Sequence, residues 1–345
     1  MHKKGVTYKD SGVDISAGNE SVRRIKPLAK STHNSSVVTE IGMFGGMYDL
    51  GEIVSKYRHP VLVQSIDSVG TKLMIANMMN THYSIGVDMV AHSCNDILCQ
   101  GARPITFLDY IAVDKLDPDH VEELFKGMAD ACRETGMAII GGEIAELPGV
   151  YSKGEYDLVG SVTGIVDRDK IISGKDIVAG DIVVGLASSG LHTNGYSLAR
   201  KVLFSGAYDA HDKVDGVGVL GEVLLEPHRN YTNLVHTLME AVDIKGIAHI
   251  TGGGLIENVP RILPEGCSAL IDKGAWEVPP IFKLIGEVGN VPKDDLYRTL
   301  NMGIGMVLIV SPEDVDRLLK GMSPLDYYYG VIGEIRDGNR GVEFK

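Results

Sequence analysis

Glycine punctuation is the feature that most limits what this chain can build. Its 42 glycines gather in short runs, MFGG, IIGGE, SSGLHTNG and TGGG, between apolar segments. Glycine lets backbone turn sharply or approach a ligand closely. The apolar segments between these runs alternate in period. PVLVQSI (60–66) reads as a buried strand, and GTKLMIANMM after it has helical spacing. In the segment 85–102, apolar side chains at 85, 89, 90, 94, 97 and 98 mark one helix face, closed by Gly101. A strand at 104–113, a helix at 117–136, and strands at 137–140 and 156–168 complete the first half. The polar stretch DRDKIISGKDIVAGD (167–181) suits a connection between domains. Beyond it, strands are expected at 182–188, 268–272, 304–310 and 329–336, with helices at 196–204, 229–242, 279–288 and 312–320. A chain of 345 residues is long enough for two cores. The alternation is too loose for a strict βαβ series. The expected class is therefore α/β of the α+β type, in two domains, 1–170 and 171–345, each a mixed sheet backed by helices.

Charge and composition exclude several classes. A formal net charge of −13 argues against a nucleic-acid partner, because polyanions are bound by basic faces. No apolar run approaches the ~18 residues of a membrane span, and Lys3 and Lys4 are followed by no apolar stretch of the signal-peptide kind. A cytoplasmic protein without membrane partners is expected. The cysteines Cys94, Cys99, Cys132 and Cys267 form no C-x-x-C pair, so buried free thiols are expected rather than zinc or redox chemistry.

The stretch QSIDSVGTKL (64–73) carries the first chemical signal. Gly70, Thr71 and Lys72 could cradle a phosphate, but the order is not that of a Walker loop. Asp67 just before them would repel phosphate unless a cation stood between. Asp67, Asp96 and Glu143 are hard oxygen ligands of the kind Mg²⁺ takes together with phosphates and water. Taken singly, each also suits a helix cap, a solvated face or a strand end; what they share is a setting beside glycine. Lys72 could neutralise a phosphate as a point charge, or belong to the polar face of a helix. His192 and Asn194 sit in a loop before a helix, where backbone donors favour an anion and where a histidine could shuttle a proton. Gly252, Gly253 and Gly254 offer a second anion nest.

In order along the chain, DSVGTKL (67–73), CNDILCQGA (94–102), FLDY (107–110), GGEIAELPGVY (141–151), SSGLHTNGYSLARK (188–201) and HITGGGLIENVPR (249–261) resemble the phosphoribosylformylglycinamidine cyclo-ligase family. So do TYKDSGVDISAGN (7–19), RIK (24–26), FGGMYDL (44–50) and RTLNMGIGM (298–306). The resemblance implies an ATP-dependent ring closure in purine biosynthesis, with Mg²⁺ and a phosphoribosyl substrate. It further implies a homodimer whose N-terminal sheets pair into a barrel. It places Lys26, in a mobile N-terminal part, near the nucleotide; Asp67, Asp96 and Glu143 at the metal and phosphates; and His192 and His249 at the reacting centre. Four positions depart from the family pattern: Ile66 for threonine, Ser68 for glycine, Leu147 for methionine and His228 for threonine. Serine at 68 implies a backbone that needs no positive φ there. Two readings compete: another ATP-using relative of the thiamine monophosphate kinase type, and an idle nucleotide-binding homologue.

Overall fold

The computed structural model describes residues 7–345. The first half is a four-stranded sheet of β1 (Pro60–Ser68), β2 (Arg103–Val113), β3 (Ala138–Glu146) and β4 (Tyr156–Asp167), in the order β1-β4-β2-β3. Only β2 and β3 run parallel. Helices α1 (Ile15–Lys30), α2 (Tyr83–Leu98) and α3 (Pro118–Thr135) cover one face, with α2 against the sheet and α1 against α3. The Asp117 carboxylate caps α3 ahead of Pro118, and Gly136 ends it in the left-handed conformation. Two glycines let α2 and α3 touch backbone to backbone. A Cβ on Gly86 would lie 2.0 Å from the Leu124 carbonyl oxygen, and one on Gly127 would lie 2.0 Å from that of Tyr83.

The opposite face of this sheet is open. Along β1 exposure alternates from Pro60 to Asp67, and Leu62 and Ile66 of β1 and Leu108 of β2 point outward from this face, Ile66 at 71% exposure.

The second half is a six-stranded mixed sheet. Its strands are β5 (Ile182–Ala187), β6 (Ile244–His249), β7 (Cys267–Ile271), β8 (Ile304–Val310), β9 (Tyr329–Asp337) and β10 (Val342–Phe344), in the order β10-β7-β9-β5-β8-β6. Strand β8, IGMVLIV, is buried at every position because separate apolar clusters pack on the two faces of this sheet. Among the described residues no helix is long and apolar enough to cross a membrane.

Several elements differ from the sequence expectation, among them strands β3, β6 and β10 and helix α1. Strand β3 runs on through Gly141 and Gly142 to Glu146, because it stays paired with β2 along that length. Helix α1 has no counterpart in that expectation; its buried stripe is only Ser21, Ile25 and Ala29, too thin to register as a periodic apolar pattern. Strand β6 sits where the sequence suggests no strand. Cys94, Cys132 and Cys267 are buried, whereas Cys99 is only half-buried.

His236, buried on α4 (Thr232–Met239), donates from Nε2 to the Ala102 carbonyl at 3.2 Å. Burial, aided by Arg103, lowers its pKa to about 4. The folded chain therefore binds fewer protons than the unfolded chain between that value and the ordinary ~6.5, and stability contributed by neutral His236 is lost as pH falls through this window. At pH 5 the loss from this site is expected to be about 1–2 kcal/mol. Urea unfolding at pH 7 and pH 5 checks it: His236→Gln, which keeps a donor for Ala102, should narrow the gap between the two pH values.

Candidate active site

Positions 88, 92 and 96 lie one helical turn apart and put Asp, His and Asp on one face of α2. His92 Nε2 is 2.7 Å from Asp67 Oδ2, on the neighbouring strand β1, and 3.7 Å from Asp96 Oδ2. One imidazole thus reaches both carboxylates. Burial alone would push Asp67 and Asp96 up, but the histidines beside them outweigh it and hold both below the ordinary carboxylate range. Burial likewise works against a charge on His92, and the two carboxylates overcome it, so that His92 titrates above the ordinary histidine value.

Asp67 and Asp96 open into a cleft of about 690 Å³ between the two halves of the molecule, with Thr193, His249, Thr251 and Arg261 on the far wall. The cleft continues past Gly70, Thr193 and Asn194 into a second lobe of about 580 Å³, walled by Thr71, Gly252 and Gly253. The glycine loops of both halves therefore meet along one trough. Thr71 Oγ1 lies 3.2 Å from Ser197 Oγ, which bridges the two loops. Gly254 is turned away from the trough: a Cβ there would strike the Tyr297 carbonyl oxygen at 2.1 Å, so this glycine serves close packing.

Several expected site residues lie elsewhere. Lys72 is 0% exposed; its Nζ pairs with Asp88 Oδ2 at 2.7 Å and donates to the Glu226 carbonyl at 2.8 Å. Asp88 in turn accepts from the His228 backbone N–H at 2.7 Å. The lysine is thus a buried clamp on loop 226–228, because the short helical turn 70–72 swings its side chain inward. His192 is also buried. It holds a positive φ of 63°, fastened by the Ser189 N–H donating to its Nε2 at 3.1 Å, and it stacks on His228 with ring centroids 3.9 Å apart. Burial keeps it neutral, well below the ordinary histidine range, and out of the cleft. His249 lines the cleft but spends both ring nitrogens, Nδ1 on Asp96 at 2.8 Å and Nε2 on His228 at 3.0 Å.

Glu143 does not join Asp67 and Asp96 within the chain. Asp67 stands opposite Gly160, Gly160 opposite Asp109 and Asp109 opposite Gly142, next to Glu143. Three strand spacings place Glu143 about 14 Å from Asp67 at the other sheet edge. It lines a separate cavity of about 270 Å³ under α1, with Asp109. Burial raises the Asp109 carboxyl to about 7. Gly142 makes room for it, since a Cβ there would fall 2.4 Å from Asp109 Oδ1. Lys26 belongs to α1, in an ordered helix, and pairs with Glu40 at 2.9 Å.

The structure adds His92, Thr193, Asp88 and His228 to the site residues that the sequence suggests. The Asp-His-Asp spacing at 88, 92 and 96 is the signal available for two of them. Ser68 is absent from the positive-φ residues, as its identity implies.

Residues 53–166 match the model of the AIR synthase related protein N-terminal domain, and residues 178–344 that of its C-terminal domain. The chain is 50% identical over 338 residues to the phosphoribosylformylglycinamidine cyclo-ligase of Trichlorobacter lovleyi, covering 97% of this chain and 96% of that one. It is 49% identical over 345 residues to the cyclo-ligase of Geotalea uraniireducens, covering 99% of each. Among solved structures it resembles the E. coli hydrogenase maturation protein HypE (TM-score 0.68, 16% identity, 94% of this chain and 93% of that one). It resembles equally the thiamine-monophosphate kinase of Stenotrophomonas maltophilia (TM-score 0.68, 18% identity, 94% and 96%). These two likenesses show a shared fold.

Proposed function

Because the chain belongs to the phosphoribosylformylglycinamidine cyclo-ligase family, we propose that the trough between its halves is where ATP and a phosphoribosyl substrate meet. The protein is a ligase of purine biosynthesis: it closes formylglycinamidine ribonucleotide to 5-aminoimidazole ribonucleotide at the expense of ATP, releasing ADP and phosphate. An amide oxygen leaves poorly until it is phosphorylated. The chemistry is therefore phosphoryl transfer followed by attack of the amidine nitrogen, and both steps depend on positioning and charge neutralisation more than on a protein nucleophile.

The observation that carries this placement is the meeting of Asp67 and Asp96 at one imidazole, beside glycine loops. Two carboxylates, each with one oxygen held by a histidine, suit Mg²⁺, which takes one or two carboxylates and fills its remaining positions with phosphate and water. Bound there, Mg²⁺ would neutralise charge on the transferring phosphoryl group. Asp67 and Asp96 would hold it, and Gly70, Thr71, Asn194, Gly252 and Gly253, which line the two lobes, would approach phosphate oxygens. Arg261, among the described residues the one lysine or arginine on the wall of the larger lobe, faces the substrate phosphate. The open face of the first sheet, with Leu62, Ile66 and Leu108, supports a homodimer joined there. We place the enzyme in the cytoplasm and take 1–170 and 171–345 as its domains.

The test is an assay of purified protein with formylglycinamidine ribonucleotide, ATP and Mg²⁺, following ADP and aminoimidazole ribonucleotide together. Equimolar formation of both is expected. ATP turnover without ring-closed product, or nucleotide binding without turnover, would overturn the assignment.

A further inference from the structure

His228 is a departure from the family pattern, and it is 2% exposed. Its ring joins Thr193 and His249 on the far wall of the cleft, and through Thr193 the link reaches His92 on the near side. His228 Nε2 lies 3.0 Å from His249 Nε2, and Nδ1 lies 3.3 Å from Thr193 Oγ1, which in turn is 2.7 Å from His92 Nδ1.

The direction of each hydrogen bond follows from the ends inward. Asp96 is a carboxylate and can only accept, so His249 carries its proton on Nδ1. His228 and His249 are 2% and 5% exposed and packed against other imidazoles, surroundings that favour the uncharged ring, so each carries a single proton. Neutral His249 then has a bare Nε2, and the proton in the 3.0 Å contact belongs to His228 Nε2. That leaves His228 Nδ1 bare, to accept from the Thr193 hydroxyl. Thr193 Oγ1 in turn accepts from His92 Nδ1, while His92 Nε2 donates to Asp67. Each ring nitrogen of His92, His228 and His249 is satisfied in one arrangement.

We propose that His228 is a positioning residue: it closes a single hydrogen-bonded chain, Asp67–His92–Thr193–His228–His249–Asp96, that fixes the tautomer of His249 and the orientation of the two cleft carboxylates. A threonine at 228 is too short to span the same gap. The loop that carries His228 is itself held by Lys72 and Asp88, so the buried ion pair and the relay form one support. This inference rests on the reading of Asp67 and Asp96 as the metal-holding pair.

Histidine-selective ¹⁵N labelling of the metal-free protein tests it. In the wild type, His249 should show a protonated Nδ1 and a bare Nε2, and His228 the reverse; either ring in the opposite tautomer overturns the proposal without any variant. Mn²⁺ serves as the cation probe. His228→Gln keeps a donor toward His249 and should hold its tautomer and Mn²⁺ affinity within about threefold, whereas His228→Leu should mix the tautomers and weaken Mn²⁺ by roughly 10–100-fold. A folded His228→Leu protein with an unchanged His249 tautomer and unchanged affinity would also overturn it. Should Asp67→Asn and Asp96→Asn leave Mn²⁺ binding intact while the wild-type tautomers are as assigned, the metal reading fails and the relay stands.

Discussion

Lys72→Met is expected to destabilise the fold by about 3–5 kcal/mol, far more than loss of a surface lysine would. Lys72 and Asp88 are both completely buried and 2.7 Å apart. Burial pulls the lysine pKa down and the aspartate pKa up, while their mutual attraction opposes both shifts. Removing one partner leaves the other as an uncompensated buried charge, or forces it to neutralise. It also frees the Glu226 carbonyl, which would loosen loop 226–228 behind the cleft. The double variant Lys72→Met with Asp88→Asn should recover most of the stability, because asparagine keeps an acceptor for the His228 N–H without stranding a charge. Chemical denaturation of the wild type, the single variant and the double variant measures this directly. A Lys72→Met protein of wild-type stability that had lost turnover would return the lysine to phosphate binding.

The same residue marks the boundary between what is legible in the sequence and what is not. Buried strands such as IGMVLIV and capped, strongly amphipathic helices such as 118–135 declare themselves through period and punctuation. Asp67 and Asp96, each of which singly suits a cap or a solvated face, are brought to one cleft by strand β1 and helix α2. Lys72 misleads because GTK gives the lysine's position but no direction; a three-residue helical turn decides that it points into the core, toward an aspartate farther along the chain. Glu143 misleads for a topological reason. The motif GGE looks like a loop, yet it lies within an edge strand paired in parallel with β2, where its second glycine makes room for Asp109. For His192 and His249 the sequence places the residues near the cleft but leaves their ring nitrogens free, since hydrogen-bond partners from distant loops do not show in spacing. His228 stands out in the sequence only as a departure, and its geometry gives that departure a use.

Turnover is expected to fall by about 10³-fold in Asp67→Asn and in Asp96→Asn, with the fold intact, because charge neutralisation at a phosphoryl centre contributes several kcal/mol and each ~1.4 kcal/mol is tenfold. The isosteric amides keep the histidine contacts: the side-chain oxygen at position 67 still accepts from His92 Nε2–H, giving up only the Ser68 N–H, and the one at position 96 still accepts from His249 Nδ1–H. Denaturation midpoints should therefore stay near wild type, which separates these variants from Lys72→Met. Loss should be greatest at limiting Mg²⁺ and be partly relieved as Mg²⁺ is raised, since one carboxylate of the pair remains. Arg261→Ala should behave differently, raising KM for the ribonucleotide while sparing the Mg²⁺ dependence, because Arg261 lies on the opposite wall. If Asp67→Asn turned over within about tenfold of wild type at every Mg²⁺ concentration, Asp67 would be a partner that orients His92 and no metal ligand, and the site would reduce to Asp96 and the glycine loops.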